Sequence, residues 1–292
     1  MKKPVSRRIF EAVNVILLTL MTLCAVLPFL NFLAISLSES SAVALGQVGF
    51  WPRRVTLQSY AFVLQKLELA QAFGVSVAKV LVGVPLNMLL TLLIAYPLSK
   101  SKEEFPARNV YVWFFIVTMI FSGGLVPWFL IISKLGMIDS FWALVIPSAV
   151  PVYNVVILVN FFKGIPKGIE EAATIDGATH WQILWRIFVP LSSAALASTI
   201  LFCVVNHWNS WFEGMMLMNR PSKYPLQTYL QTFVVGRNTQ LMSSEAMRNV
   251  GIVSERTARA AQMFVATVPV LMIYPFMQKY FTTGVTLGGV KE

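Results

Sequence analysis

The sequence predicts an all-α membrane protein with six transmembrane helices. Three observations carry this. Of 292 residues, 57% are apolar and only 12% are charged, against roughly 25% charged in an ordinary soluble domain. Mean hydropathy is +0.68. The apolar residues also gather into six runs, each near the roughly 20 residues that a spanning helix needs. A soluble globule needs a polar shell, and this chain has too few charges to make one. Hydrocarbon gives free backbone groups no partners, so each span has to be a helix. The same figures exclude a disordered chain. Lys and Arg number 23 and Asp and Glu 13, a net charge of +10. On a membrane protein this excess reads as loop charge that faces anionic lipid and sets topology, not as a nucleic-acid surface.

The first span is residues 13–36, preceded by Lys2, Lys3, Arg7 and Arg8. It exceeds the roughly 7–15 apolar residues of a signal-peptide core, so it is read as retained, with its basic end in the cytoplasm. The second span is about 73–98, the third 110–132, the fourth 141–162, the fifth 191–211 and the sixth 261–281. Six spans place both termini in the cytoplasm of a multi-pass inner-membrane protein, a single transmembrane domain over 1–292. Residues 163–190 then form an inner loop and 212–260 an outer segment. Lys79 is expected to snorkel from the outer end of the second span. Cys24 and Cys203 lie in apolar runs with no partner at metal-binding spacing, so both read as small packed side chains, with no metal or cofactor implied.

The inner loop GIPKGIEEAATIDGATHWQILWRIFVP reads as two short helices with a turn between them. Pro166 suits a helix start. Glu170 and Glu171 sit early, where negative charge offsets the helix dipole. Ala172 and Ala173 make a smooth face for close approach by another protein. Asp176 and Gly177 form a stop-and-turn signal. Thr179, with Gln182 three residues on, makes a capping box for a second helix. That helix places Trp181, Leu184, Trp185 and Phe188 on one side, and Pro190 interrupts it. From pattern alone, an amphipathic loop lying on the membrane surface fits equally well.

The order Glu171–Ala172–Ala173, Asp176–Gly177–Ala178, Ile187 and Pro190 resembles the EAA loop of ABC-importer permeases. It also lies between the fourth and fifth of six spans, the slot that loop occupies in the family. The likeness extends further: Phe50–Trp51–Pro52 with Tyr60, the run Ala95–Tyr96–Pro97–Leu98–Ser99–Lys100, Trp208–Asn209–Ser210–Trp211–Phe212, and Pro225–Leu226–Gln227. These are similar to segments of carbohydrate-type permeases, above all the second permease subunit of oligo- and polysaccharide importers such as the alginate type. The resemblance implies a type I importer permease fold (MetI-like). It implies a second permease subunit, two ABC ATPase subunits, an extracytoplasmic solute-binding protein and a saccharide substrate. No G-x-x-x-x-G-K-[ST] is present, so ATP would be hydrolysed on other chains and this one would not be an enzyme. Glu170, Glu171, Ala172, Ala173, Asp176 and Gly177 would dock in a cleft of the ATPase.

For the sugar path, aromatic faces and amides are the expected chemistry. Asn206 and Asn209 share one helical face, and Trp208 and Trp211 another; Tyr153 and Asn154 are further candidates. An interfacial aromatic belt and helix–helix hydrogen bonds are the competing roles. Arg220, Lys223, Arg237, Arg248, Arg256 and Arg259 read either as solvated loop charge or as a surface for an acidic binding protein or anionic saccharide. A non-ATP-driven secondary transporter half is the rival. It would carry a coupling carboxylate in mid-span, whereas Asp and Glu here fall in loops or at span ends.

Overall fold

The computed structural model describes residues 5–235, 254, 256–269 and 271–272. Among them the main helices are α1 (Val5–Ser36), α2 (Leu67–Ser99), α3 (Arg108–Ile120), α4 (Leu125–Lys134) and α5 (Val152–Lys163). They continue with α6 (Lys167–Ile175), α7 (Ser193–Asn209), α8 (Phe212–Leu217) and α9 (Leu226–Val235). Residues 256–269 are also helical. The described residues contain no strand beyond one isolated bridge between Ser38 and Val55.

Two helices, α1 and α2, are long and apolar enough to cross a bilayer unbroken. Five spans are reached if each of three bent pairs counts as one. The sixth expected span, 261–281, lies only partly within the described residues. The third, fourth and fifth runs are bent, and the first two of these breaks have a local cause. The third span splits into α3 and α4, which meet at 113°. Phe121–Ser122–Gly123–Gly124 fills the gap, and Gly124 takes φ +85, which a helix cannot hold. The fourth span opens as two 3-10 turns, Phe141–Leu144 and Ile146–Ser148, bent 43° from α5. Pro147 and Pro151 lack the N–H groups that a continuous helix would use. The fifth follows an 85° bend at Ser192 between the loop segment His180–Leu191 and α7, and it ends at Asn209, two residues short of Trp211.

The chain forms two compact units. The first takes the described residues up to Leu69 and those from Thr232 to Pro269. In it, α1 exposes apolar side chains all round from Ile9 to Phe32, the pattern of a helix whose surroundings are lipid or another helix. Its C-terminal end is fastened: Ser36 Oγ bonds Tyr60 Oη at 2.7 Å, and Ile35 packs with Val43 and Ala260. Ser40 Oγ accepts from the Ser254 N–H at 2.7 Å.

The second unit takes Ala70–Gln231 and the described residues after Pro269. Its core is built by α2 (Val84, Leu92, Ala95), α5 (Val155, Leu158, Phe162), α7 (Ala195, Leu196, Cys203) and the segment Ile183–Phe188. Lipid is as apolar as leucine, so interdigitation and interhelical hydrogen bonds hold these helices together, not transfer from water. A smaller cluster joins Ile132 of α4, Leu144, and Leu217 of α8.

Candidate functional site

The loop between α5 and α7 forms the two short helices that its punctuation predicts. Pro166 is the N-cap of α6. At the far end, Gly177 N–H donates to Thr174 O at 3.0 Å and Ala178 N–H to Ala173 O at 2.9 Å. This is a Schellman closure, and it needs a left-handed residue after the cap. Gly177 supplies it with φ +77, and no atom stands within 4 Å of where its Cβ would be. The conformation, not crowding, therefore selects glycine here. Ala173 and Ala178, brought together by the closure, both rest against the core of the second unit.

The capping box is present: Gln182 N–H reaches Thr179 Oγ1 at 3.4 Å and Thr179 N–H reaches Gln182 Oε1 at 2.8 Å. The helix after it departs from expectation. Only His180–Ile183 is α-helical; Leu184–Phe188 is a π-turn, closed by Val189 N–H onto Leu184 O. Pro190 cannot donate to Arg186 O and its ring crowds that carbonyl, so the ladder widens. The four aromatic and apolar residues therefore do not share one environment. Leu184 and Phe188 enter the core, whereas Trp181 and Trp185 stay exposed.

The candidate coupling residues divide by direction. Glu170 is half-buried and forms an ion pair with Lys100, just beyond the end of α2. The Lys100 ammonium also lies 4.1 Å from the Tyr96 ring centroid and 4.6 Å from that of Phe188, a cation–π seat. Tyr96 Oη is 3.2 Å from His180 Nδ1. Glu171, Ala172, Asp176 and Gly177 are exposed. Ile175 is 86% exposed and Trp181 61%, an apolar surface on a polar loop. Beside them opens a cleft of about 1160 Å³, lined by Lys100, Arg108, Lys163, Glu171 and Ile175 among others.

The candidate path residues do not form one group. Asn206 and Asn209 are both exposed. Trp208 is buried, edge-on to Phe73 with centroids 5.7 Å apart. Trp211 lies beyond the end of α7 and leans on Phe212, so the two tryptophans do not share a helical face. Asn154 is buried, and its Nδ2 donates to Thr199 O at 3.4 Å and Cys203 Sγ at 3.1 Å. That is a bond between α5 and α7. Tyr153 is exposed beside Phe202.

Three polar residues within apolar runs, Lys79 and the unremarked Asn87 and His207, are buried in the second unit. Lys79 is 1% exposed and donates to Ser210 Oγ, so it does not snorkel. Asn87 Nδ2 donates to Ser148 O and Ala149 O at 2.7 and 2.8 Å, which fixes its amide. Asn87 Oδ1 then accepts from His207 Nε2 at 2.5 Å. A lone Lys, Asn or His inside an apolar run was the available signal. Of the outer basic residues, Arg220 and Lys223 pair with Asp139 at 3.2 and 2.8 Å. They brace two loops of their own chain. Arg256 is exposed on the helix 256–269, where Arg259 is half-buried, and Arg237 and Arg248 lie outside the described residues.

Comparison with known proteins agrees over nearly the whole length. Protein LplC of Bacillus subtilis (strain 168) is 33% identical over 284 residues, 97% of this chain and 95% of that protein. The polygalacturonan/rhamnogalacturonan transport system permease protein YtcP of the same organism is 34% identical over 284 residues, 97% of this chain and 99% of that one. A crystal structure of a bacterial ABC transporter involved in the import of the acidic polysaccharide alginate contains a similar chain. It has a TM-score of 0.89 and 32% identity, covering 96% of this chain and 99% of that one. Residues 106–287 match the family described as binding-protein-dependent transport system inner membrane component, and the chain belongs to that family.

Proposed function

We propose that this chain is one of two permease subunits of an ATP-driven importer of acidic oligo- or polysaccharides, coupled to two ATPase subunits through α6. The observation that carries the reading is the two-sided character of α6. Its inner side is fixed to its own chain by Glu170 and Ala173, while Ile169, Glu171, Ala172 and Ile175 are left outside. An isoleucine 86% exposed on a polar loop gains by being covered. The smooth alanine beside it admits a close-fitting cleft, and Glu171 offers a carboxylate to a basic group there. Closure of the ATPase pair would then push α6 as a rigid body and rock the spans between inward- and outward-open states. In this topology the loop and both termini are cytoplasmic, and an extracytoplasmic binding protein delivers the sugar.

The acidic class of substrate is supported by two relatives. YtcP is named for polygalacturonan and rhamnogalacturonan, and the similar solved transporter imports the acidic polysaccharide alginate. Galacturonan, like alginate, carries a carboxylate on its uronic acid units. Asn206 and Asn209, exposed on α7, are the groups on this chain suited to saccharide hydroxyls.

The test is ATPase activity of the purified complex in liposomes with its binding protein. Oligogalacturonate or alginate oligosaccharide is expected to stimulate hydrolysis, and neutral arabino-oligosaccharide is not. Ile175→Asp is expected to abolish the stimulation and Gly177→Val to lower it. Stimulation by the neutral sugar alone would overturn the substrate class, and full stimulation in both variants would overturn the coupling role.

A further inference from the structure

We propose that Lys100 is a positioning residue for transport, its ion pair with Glu170 being the tie through which motion of α6 reaches α2. This rests on the coupling role given to α6 above and names the element that receives the motion. Lys100 follows α2 directly, and its side chain is only 8% exposed; that of Glu170 is 21% exposed. A lysine so placed is costly unless a counter-charge meets it, and removing one partner strands the other. The pair therefore resists separation more than a solvated one would.

The seat of Lys100 is built from three segments. Tyr96 belongs to α2, Glu170 to α6 and Phe188 to the π-turn. The rings of Tyr96 and Phe188 meet edge-on with centroids 5.2 Å apart, and the Tyr96 hydroxyl reaches His180 on the far side of the turn. Meanwhile α6 itself has no fully buried residue. It cannot pass a displacement on by interlocked apolar side chains, as α5 and α7 can. The ion pair and the Ala173 contact both fasten it to its own chain. Neighbouring carboxylates thus take different tasks: Glu170 holds the subunit's own helix, and exposed Glu171 faces outward.

The experiment uses the full complex with its binding protein in liposomes. It reads saccharide transported per ATP hydrolysed, with co-purification of the ATPase as the assembly control. Lys100→Met and Glu170→Gln leave Ile169, Ala172 and Ile175 untouched, so the ATPase is expected to stay bound while the transport ratio falls roughly tenfold. The exchanged pair, Lys100→Glu with Glu170→Lys, is expected to regain at least about threefold over the weaker single variant. A merely structural role would lower the yield of complex and leave the ratio of the assembled fraction unchanged. An unchanged ratio in both single variants overturns the proposal. So does an exchanged pair that assembles but couples no better than either single, and this arm decides the matter if Lys100→Met folds poorly. Failure of the parent reading shows separately, as normal coupling in Ile175→Asp.

Discussion

The His207 ring occupies the space that any side chain at residue 83 would need. A Cβ built on Gly83 would lie 2.5 Å from His207 Nε2 and 2.6 Å from its Cε1. That nitrogen is held by Asn87, whose amide is held in turn by the carbonyls of Ser148 and Ala149. The ring cannot withdraw without breaking a bond inside the helix packing. Gly83→Ala is therefore expected to destabilise the subunit by about 1–3 kcal/mol, the usual cost of overpacking. His207→Ala in the same chain should recover part of that loss. Thermal unfolding of the purified protein in detergent checks both, and equal midpoints for Gly83→Ala and the native chain would contradict the packing argument.

Gly214 presents a second close approach. Its Cβ position is in contact with Thr228 Oγ1 and lies 2.7 Å from Pro225 Cδ. Thr228 Oγ1 is itself committed to Trp211 O at 2.7 Å. Gly214→Ala should lower the unfolding midpoint, because a proline ring cannot rotate away as a long side chain can. Thr228→Ala opens the same space and should lessen the effect.

Gly177 differs in kind, since nothing crowds it. Replacement costs left-handed backbone strain, roughly 1 kcal/mol for most residues and less for Asn, which tolerates that region. Gly177→Asn is thus expected to retain more sugar-stimulated ATPase activity than Gly177→Val. The order of the two activities is the measurement.

Asp139 supplies the pH dependence. It sits at φ +58 with its carboxylate facing Lys223, Arg220 and the Asn219 N–H. The hydrogen bond from Lys223, chiefly, holds its pKa below the usual carboxylate value. A depressed carboxylate contributes stability that is present above its unfolded pKa, roughly 4, and is lost as pH falls through the lower folded value. The loop brace should therefore persist at pH 5 and weaken in the acid range below about 4. Asp139→Asn, which suits the left-handed backbone, should remove that acid-side loss from the curve of unfolding midpoint against pH.

Asn154 separates architecture from path. Its amide spans α5 and α7, so Asn154→Ala should lower stability by about 1–3 kcal/mol without changing which saccharide stimulates the ATPase. Exposed Asn206 should behave in the opposite way: Asn206→Ala leaves the unfolding midpoint in place and weakens stimulation. A shifted saccharide preference in Asn154→Ala would assign it to the path after all.

Local chemistry made much of this legible. The α6 turn, its Schellman glycine and the Thr179–Gln182 box are decided by residues within six positions of each other, so the sequence alone determined them. The apolar runs likewise determined that the chain is helical and built for a membrane. What the sequence could not decide was how those runs bend, because a run of apolar residues carries no mark of direction. The glycines at 123–124 and the prolines at 147, 151 and 190 mark where a run can break, but not the angle at which its two parts then meet. Nor could it decide which charges face one another. Lys100 and Glu170 stand 70 residues apart, and Lys79 and Ser210 stand 131 apart. Only the packing of α2 against the later segments removes water from those groups, and the loss of water makes each pairing obligatory.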